Sequence, residues 1–152
     1  MADSKTCEEL KLDNQLCFAL YSTSLAMSKL YKPYLQAMQL TYPQYLIMLI
    51  LWEQDGVTLS DLGKKVMQDL GALSPVIKRM EIAGLISRQP SQEDERKVII
   101  CLTDAGQALQ QQAKQIPADI LCSTRLSIEG IAELRQQLQM LRQQLTTSTK
   151  DE

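Results

Sequence analysis

The chain has no histidine, a single phenylalanine and a single tryptophan. Without histidine, and with none of its four cysteines at C-x-x-C spacing, it lacks the ligand sets from which zinc sites are built. No metal and no cofactor is expected. No apolar run approaches a membrane span; "YLIMLILW" is far too short. The opening "MADSKTCEEL" is polar and acidic, unlike a signal peptide. The chain is therefore expected to be cytoplasmic, with no membrane partner. There is no excess of positive charge either. A net charge of −2 does not mark a nucleic-acid binder, whose domains are usually basic. If DNA is the partner, the positive charge has to be local. No internal repeat, low-complexity tract or linker interrupts the 152 residues. That length suits one domain, or one domain with dimerising arms, and buries a core without staples.

What is present is mostly helical periodicity. After a polar arm over residues 1–11, Leu12, Leu16, Leu20, Thr23, Met27, Leu30 and Tyr34 recur at three- and four-residue steps. The pattern predicts a helix to about Leu35, with Asp13 as its N-cap and Pro33 bending or stopping it. A second helix starts near Thr41 or Tyr42, with Pro43 in its first turn. Asp55-Gly56 marks a turn.

The stretch "VTLSDLGKKVMQDLGALSPVIKRMEIAGLISR" is the most organised. Thr58 caps a short helix carrying Leu59, Leu62 and Val66. Asp69 caps a second, with Leu73, Val76, Ile77 and Met80 facing inward. Gly84 closes it as a left-handed C-cap. Two tightly joined helices of this kind form a helix-turn-helix. Two β-prone runs follow, Leu85–Arg88 and Lys97–Leu102, flanking a polar loop with Pro90. A hairpin placed there is a wing. Thr103 caps a helix to about residue 122, bent near Pro117. A last helix, about 127–146, carries Ile131, Leu134, Leu138, Leu141 and Leu145 at coiled-coil spacing. Its tail, "TTSTKDE", is expected to fray.

The fold class is mainly α with a small β-wing: a winged helix-turn-helix domain plus N- and C-terminal helices forming a dimerisation platform. Residues 1–152 make a single domain. About 10–38 and 103–146 are the dimerisation helices, and about 43–102 the winged DNA-binding region. The alternative is that the first and last helices complete a monomeric core.

In such a fold the second helix enters the major groove and the wing reaches the backbone or minor groove. The helix from about Leu70 to Ala83 offers Ser74, Lys78 and Arg79. The wing offers Arg88, Arg96 and Lys97, with Gln89 and Gln92. Between Ser60 and Lys97 stand seven Lys/Arg and six Asp/Glu, so the segment is only slightly basic. Asp94 is close enough to pair with Arg96 and orient it. The plainer alternative is a solvated helical hairpin of mixed charge.

The cysteines are Cys7, Cys17, Cys101 and Cys122. A reducing cytosol does not sustain structural disulfides, so each thiol is either apolar filler or redox-active. Cys17 lies near the start of the first helix, where the dipole favours a thiolate. Tyr21, one turn later, can donate its hydroxyl to the sulfur. A thiolate attacks a peroxide oxygen and becomes a sulfenic acid. Leu16, Phe18 and Leu20 suit an alkyl or lipid hydroperoxide. Cys17 as a small buried residue remains the alternative. Cys101 alternates with Ile99 on a strand and reads as filler. Cys7 lies in the arm.

The segments "KRMEIAGLISR" and "DERKVIICLTDAG" resemble the wing region of MarR-family repressors. "LDNQLCFALYSTSLAMSKLYKPYL" and "LTYPQYLIMLILWE" are similar to the organic-hydroperoxide-sensing, OhrR-type branch. The likeness runs from about Leu10 to Leu145. It implies a homodimeric repressor, not an enzyme, that leaves operator DNA when organic hydroperoxide oxidises a cysteine. The sensing cysteine falls on Cys17. Tyrosines that hold and screen the thiolate fall on Tyr21 and Tyr31, with Tyr42 lining the pocket. "IPADILCS" matches the two-cysteine branch, so Cys122 would resolve the sulfenic acid from the other subunit. That disulfide demands Cα atoms within about 7 Å and would shift the spacing of the two DNA-binding modules. The sequence departs from the family at "QDLGALSP", where Leu70 and Ala72 replace hydroxyl residues. Two rivals remain. One is a MarR-type repressor induced by a small aromatic ligand; the other, a thiol peroxidase, leaves the wing unexplained.

Overall fold

In the computed structural model, which describes residues 7–149, two short 3-10 turns precede the first long helix. Their fastenings are side-chain amides. Asn14 donates to the Glu8 carbonyl at 2.7 Å, and Gln15 donates to those of Glu9 and Lys11. Gln15 is extended, so α1 (Leu16–Ala37) starts after it. The expected Asp13 cap is thereby corrected. Asp13 belongs to the turn Leu12–Asn14, and Gln15 occupies the cap position with no side-chain cap bond. Nor does Pro33 stop the helix, which runs on to Ala37. A proline forfeits one intrahelical bond, but the final turn buries Leu35, with Met38 and Leu40 beyond it. Residues 1–6 of the expected arm and 150–152 of the expected tail lie outside the described residues.

Capping residues set the next boundaries as the sequence predicts. Thr41 and Gln44 form a reciprocal capping box at the start of α2 (Tyr42–Glu53), with Pro43 in its first turn. Thr58 accepts from the Asp61 amide at 3.0 Å and starts α3 (Leu59–Val66). Asp69 accepts from the Ala72 amide at 2.7 Å and starts α4 (Leu70–Ile82). Gly84, at φ +78°, lets the chain leave α4, with the Leu85 amide bonded back to the Met80 carbonyl. The wing is the hairpin β2 (Ile86–Pro90) and β3 (Val98–Leu102), paired in register from Ile86 opposite Leu102 to Pro90 opposite Val98. A two-residue strand that the sequence did not advertise, β1 (Val57–Thr58), adds to the other edge of β3, giving the order β1-β3-β2. Leu62, Leu73, Ile77, Met80, Ile86 and Ile100 are fully buried and join the two-helix motif to the sheet.

The predicted helix over 103–122 is three pieces: α5 (Asp104–Ala108), α6 (Gln110–Ala113) and α7 (Ile116–Thr124). Pro117 cannot donate to the Ala113 carbonyl, and the chain breaks there. α8 (Ile128–Ser148) follows, capped by Ser127. The fold divides into two compact units, one ending at Lys114 and one beginning at Gln115.

One close approach ties the first unit together. Thr103 donates its amide to the Leu85 carbonyl at 3.1 Å and its hydroxyl to the Gly84 carbonyl at 2.5 Å. The same hydroxyl accepts from the Gly106 amide, and Trp52 Nε1 donates to the Gly106 carbonyl at 3.0 Å. A Cβ at Gly106 would stand 2.1 Å from the Leu85 carbonyl oxygen. An aromatic cluster packs α1 on α2. Ring centroids lie 5.3 Å apart for Tyr31–Tyr42, 5.8 Å for Tyr31–Tyr45 and 6.5 Å for Tyr45–Trp52.

Gly106→Ala is expected to cost about 1–3 kcal/mol, the scale of overpacking. Urea unfolding measures it, and an unchanged midpoint would contradict the close approach. Burial pushes all three clustered tyrosines up, and carries Tyr45 to about 12, with its tyrosine neighbours adding to the shift. The folded chain then holds the Tyr45 proton more tightly than the unfolded chain does. The resulting stability is complete below about pH 10 and lost as pH rises through about 12. Ultraviolet titration of wild type and Tyr45→Phe should show one late-ionising ring missing from the variant; identical curves would exclude the assignment.

Candidate functional site

The residues singled out as DNA contacts fall on two elements of one unit. Ser74, Lys78 and Arg79 are all exposed on α4, opposite the buried Leu73, Ile77 and Met80. The Ser74 hydroxyl donates to the Leu70 carbonyl at 2.7 Å, and Arg79 Nε to the Pro75 carbonyl at 3.3 Å. On the wing, Arg96 and Lys97 are exposed at the loop that joins β2 to β3. Asp94 organises this loop. Its carboxylate accepts from the Arg96 backbone amide and from Arg96 Nε, each at 3.1 Å. The Arg96 side chain nevertheless stays 91% exposed, so the pairing aims the guanidinium without hiding it. The bond from Arg96 holds the Asp94 carboxyl below its ordinary range.

Arg88 stands differently. Its Nε and Nη2 donate to the two Glu81 carboxylate oxygens at 3.0 and 2.9 Å. The Arg88 hydrogen bond holds Glu81 below its ordinary carboxylate range, and Glu81 raises Arg88 in return. This fork joins the end of α4 to the first wing strand. Sequence reasoning missed Glu81 as a partner; the signal was the reach from the last turn of a helix across Gly84 to a strand. A cleft of about 330 Å³ opens between α3, the start of α4 and the wing, lined by residues that include Asp61, Lys64, Leu70, Arg96 and Lys97.

The thiol candidates separate. Cys17 is the second residue of α1 and is exposed; Cys122 is exposed on α7, in the other unit. Neither is core filler in this chain. Cys101 is half-buried on β3, where burial and the Asp55 carboxylate push its thiol up. Cys7 is exposed and donates to Glu9 at 3.0 Å. Tyr21 sits one turn after Cys17 and is exposed. Tyr31 and Tyr42 meet each other, together with Tyr45, a residue the sequence reading passed over although it lies one helical turn after Tyr42. Tyr31 is fourteen residues beyond Cys17 on the same helix, about 21 Å at the α-helical rise. The tyrosine cluster of a chain therefore does not meet that chain's own Cys17. Among the described residues no group of three or more His, Cys, Asp or Glu is placed to hold a metal ion, and no helix is long and apolar enough to cross a membrane.

Residues 40–98, which contain both helices of the motif and most of the wing, match the MarR family. Over 134 residues the chain is 46% identical to the organic hydroperoxide resistance transcriptional regulator of Bacillus subtilis, spanning 88% of this chain and 91% of that one. It is 32% identical over 132 residues to the HTH-type transcriptional regulator MgrA of Staphylococcus aureus, spanning 86% and 90%. Among solved structures, reduced AbfR bound to DNA matches with a TM-score of 0.74 at 34% identity, covering 93% of this chain and 96% of that one. Disulfide-formed AbfR matches with a TM-score of 0.61 at 33% identity, covering 94% and 95%. With relatives aligned over nearly its whole length and the winged motif inside the matched segment, the chain belongs to the MarR family.

Proposed function

We propose that the chain is a redox-sensing repressor, a regulator and not an enzyme, which grips operator DNA as a reduced homodimer and releases it when organic hydroperoxide oxidises Cys17. The observation that carries this is the exposed thiol in the first turn of α1, in a chain so similar to a hydroperoxide-resistance regulator. No side chain caps that helix end, so its first-turn amides are left to complement negative charge at the sulfur. Leu16 and Leu20, both exposed, surround it with apolar surface suited to an alkyl peroxide. The Cys17 thiolate attacks the peroxide; the O–O bond breaks, the alkoxide takes a proton and leaves as an alcohol, and sulfur becomes sulfenic acid. A Cys122 thiol of the second subunit then condenses with it, expelling water and leaving a disulfide.

The homodimer is supported by surface that one chain leaves open. α8 buries none of its residues, and Leu134, Leu138 and Leu145 are exposed along it. Residues 10–38 and 103–146 are the proposed dimerising elements, and 43–102 the DNA-binding region. The 21 Å between Cys17 and Tyr31 also favours a dimer: tyrosines that screen the sulfur, Tyr31 and Tyr42, come from the other subunit, while Tyr21 comes from its own. Ser74, Lys78, Arg79, Arg96 and Lys97 face the duplex. Arg88, held by Glu81, braces the wing against α4.

A second reading has its own observation. A largely apolar, open groove of about 450 Å³, lined by Leu25, Leu35 and Leu40 with Lys29 and Lys32, would accept a small aromatic acid. It predicts induction that does not need Cys17.

Gel shifts on a duplex recovered from a randomised pool by the reduced protein decide between them. Cys17→Ser is expected to bind like wild type and to stay bound under cumene hydroperoxide. Cys122→Ser is expected to form sulfenic acid but no disulfide, and to lose most of the release that a thiol reductant reverses. Normal peroxide response in Cys17→Ser would overturn the redox reading; a wild-type response in Cys122→Ser would remove the resolving role.

A further inference from the structure

The first two turns of α4 are ill-equipped for hydrogen-bonded reading of bases. Bidentate recognition of base edges uses Arg or Lys on guanine and Asn or Gln on adenine. Within α4 none of these types precedes Lys78. Asp69 is engaged in capping, and the Ser74 hydroxyl proton is engaged by the Leu70 carbonyl. What the helix does present is apolar. Leu70, its first residue, is 48% exposed, and Met67, in the preceding turn at φ 57°, is 53% exposed.

These two side chains lie among exposed cations along the chain, with the acids Asp61 and Asp69 alongside. Lys64 and Lys65 precede them, and Lys78 and Arg79 follow. Leu70 shares the cleft lined by Arg96 and Lys97. A polyanion drawn to those cations would cover Leu70. In the major groove, the apolar group that meets such a side chain is the 5-methyl of thymine.

We infer that Leu70 is a specificity-determining residue that reads a thymine methyl in each operator half-site, with Met67 enlarging the same apolar contact. The inference rests on the proposed DNA-binding function and adds to it the chemical feature that is read. Burying one methyl contributes about fourfold in affinity, so two half-sites contribute about 15-fold.

Replacing thymine by uracil deletes the methyl and leaves the pairing face unchanged. A duplex selected by the reduced full-length protein is re-synthesised with uracil at one symmetric pair of thymines at a time. Dissociation constants are read by fluorescence anisotropy for wild type, Leu70→Ala and Leu70→Ser. The expected result is one position at which uracil weakens wild type about 15-fold and weakens both variants less than twofold. Elsewhere the three proteins respond alike. A folding defect in a variant weakens every duplex equally and cannot imitate that pattern. Uracil effects that are the same in wild type and variants, or absent at every position, would overturn the inference while leaving DNA binding intact. Failure of the pool to yield any enriched duplex would overturn the DNA-binding reading itself, and this inference with it.

Discussion

The seat of the Leu85 carbonyl against Gly106 is the contact on which the DNA-binding unit depends. It occurs where α4 has just ended, the wing is about to begin and α5 turns away. Thr103 closes the joint by donating to Gly84 and Leu85, and Trp52 reaches it from α2. A side chain at position 106 cannot coexist with that geometry. Four elements thus share one node, and the direction of α4 relative to the wing is set there. The Glu81–Arg88 fork repeats the constraint on the outer surface, where solvent screens it and its energetic weight is small. Geometry, more than stability, is what such a fork supplies.

Electrostatics follow from that frame. A chain of net charge −2 binds DNA through placement, not through bulk charge. The wing crowds Glu93, Asp94 and Glu95 beside Arg96, yet the Asp94 carboxylate is turned inward onto the Arg96 amide and guanidinium. One acid is therefore spent on shaping the loop, and the arginine projects beyond it. Locking Arg88 to Glu81 uses up another pair of opposite charges, while Lys78 and Arg79 on α4 and Arg96 and Lys97 at the wing tip keep their side chains exposed.

Much of this was legible in the sequence because it rests on local chemistry. Thr58, Asp69 and Thr103 each cap a helix through one nearby amide, and Gly84 fills the one left-handed position after α4. Such signals need no knowledge of the rest of the chain. What escaped depends on distant partners. β1 is two residues long, too short for an alternating pattern, and exists because β3 offers it an edge. Asp13 looks like a cap, but amide side chains of Asn14 and Gln15 pin a separate turn there. Pro33 lies inside α1, which runs on to bury Leu35, whereas Pro117 sits in the first turn of α7, where a missing amide proton costs nothing and a new helix can start. At the thiol site, the residue types Cys17, Tyr21, Tyr31 and Tyr42 and the one helix that carries the first three were readable, but Tyr45 was not, because its part in the ring cluster depends on how α1 packs on α2.

Whether oxidation of Cys17 governs DNA release is decided by one time course, in which release of labelled operator DNA is followed by anisotropy and the chemical state of Cys17 by peptide mass spectrometry during exposure to an alkyl hydroperoxide. The released fraction is expected to rise in step with the fraction of Cys17 that has lost its thiol. DNA that stays bound with Cys17 fully converted, or that departs while Cys17 is still a thiol, would contradict it.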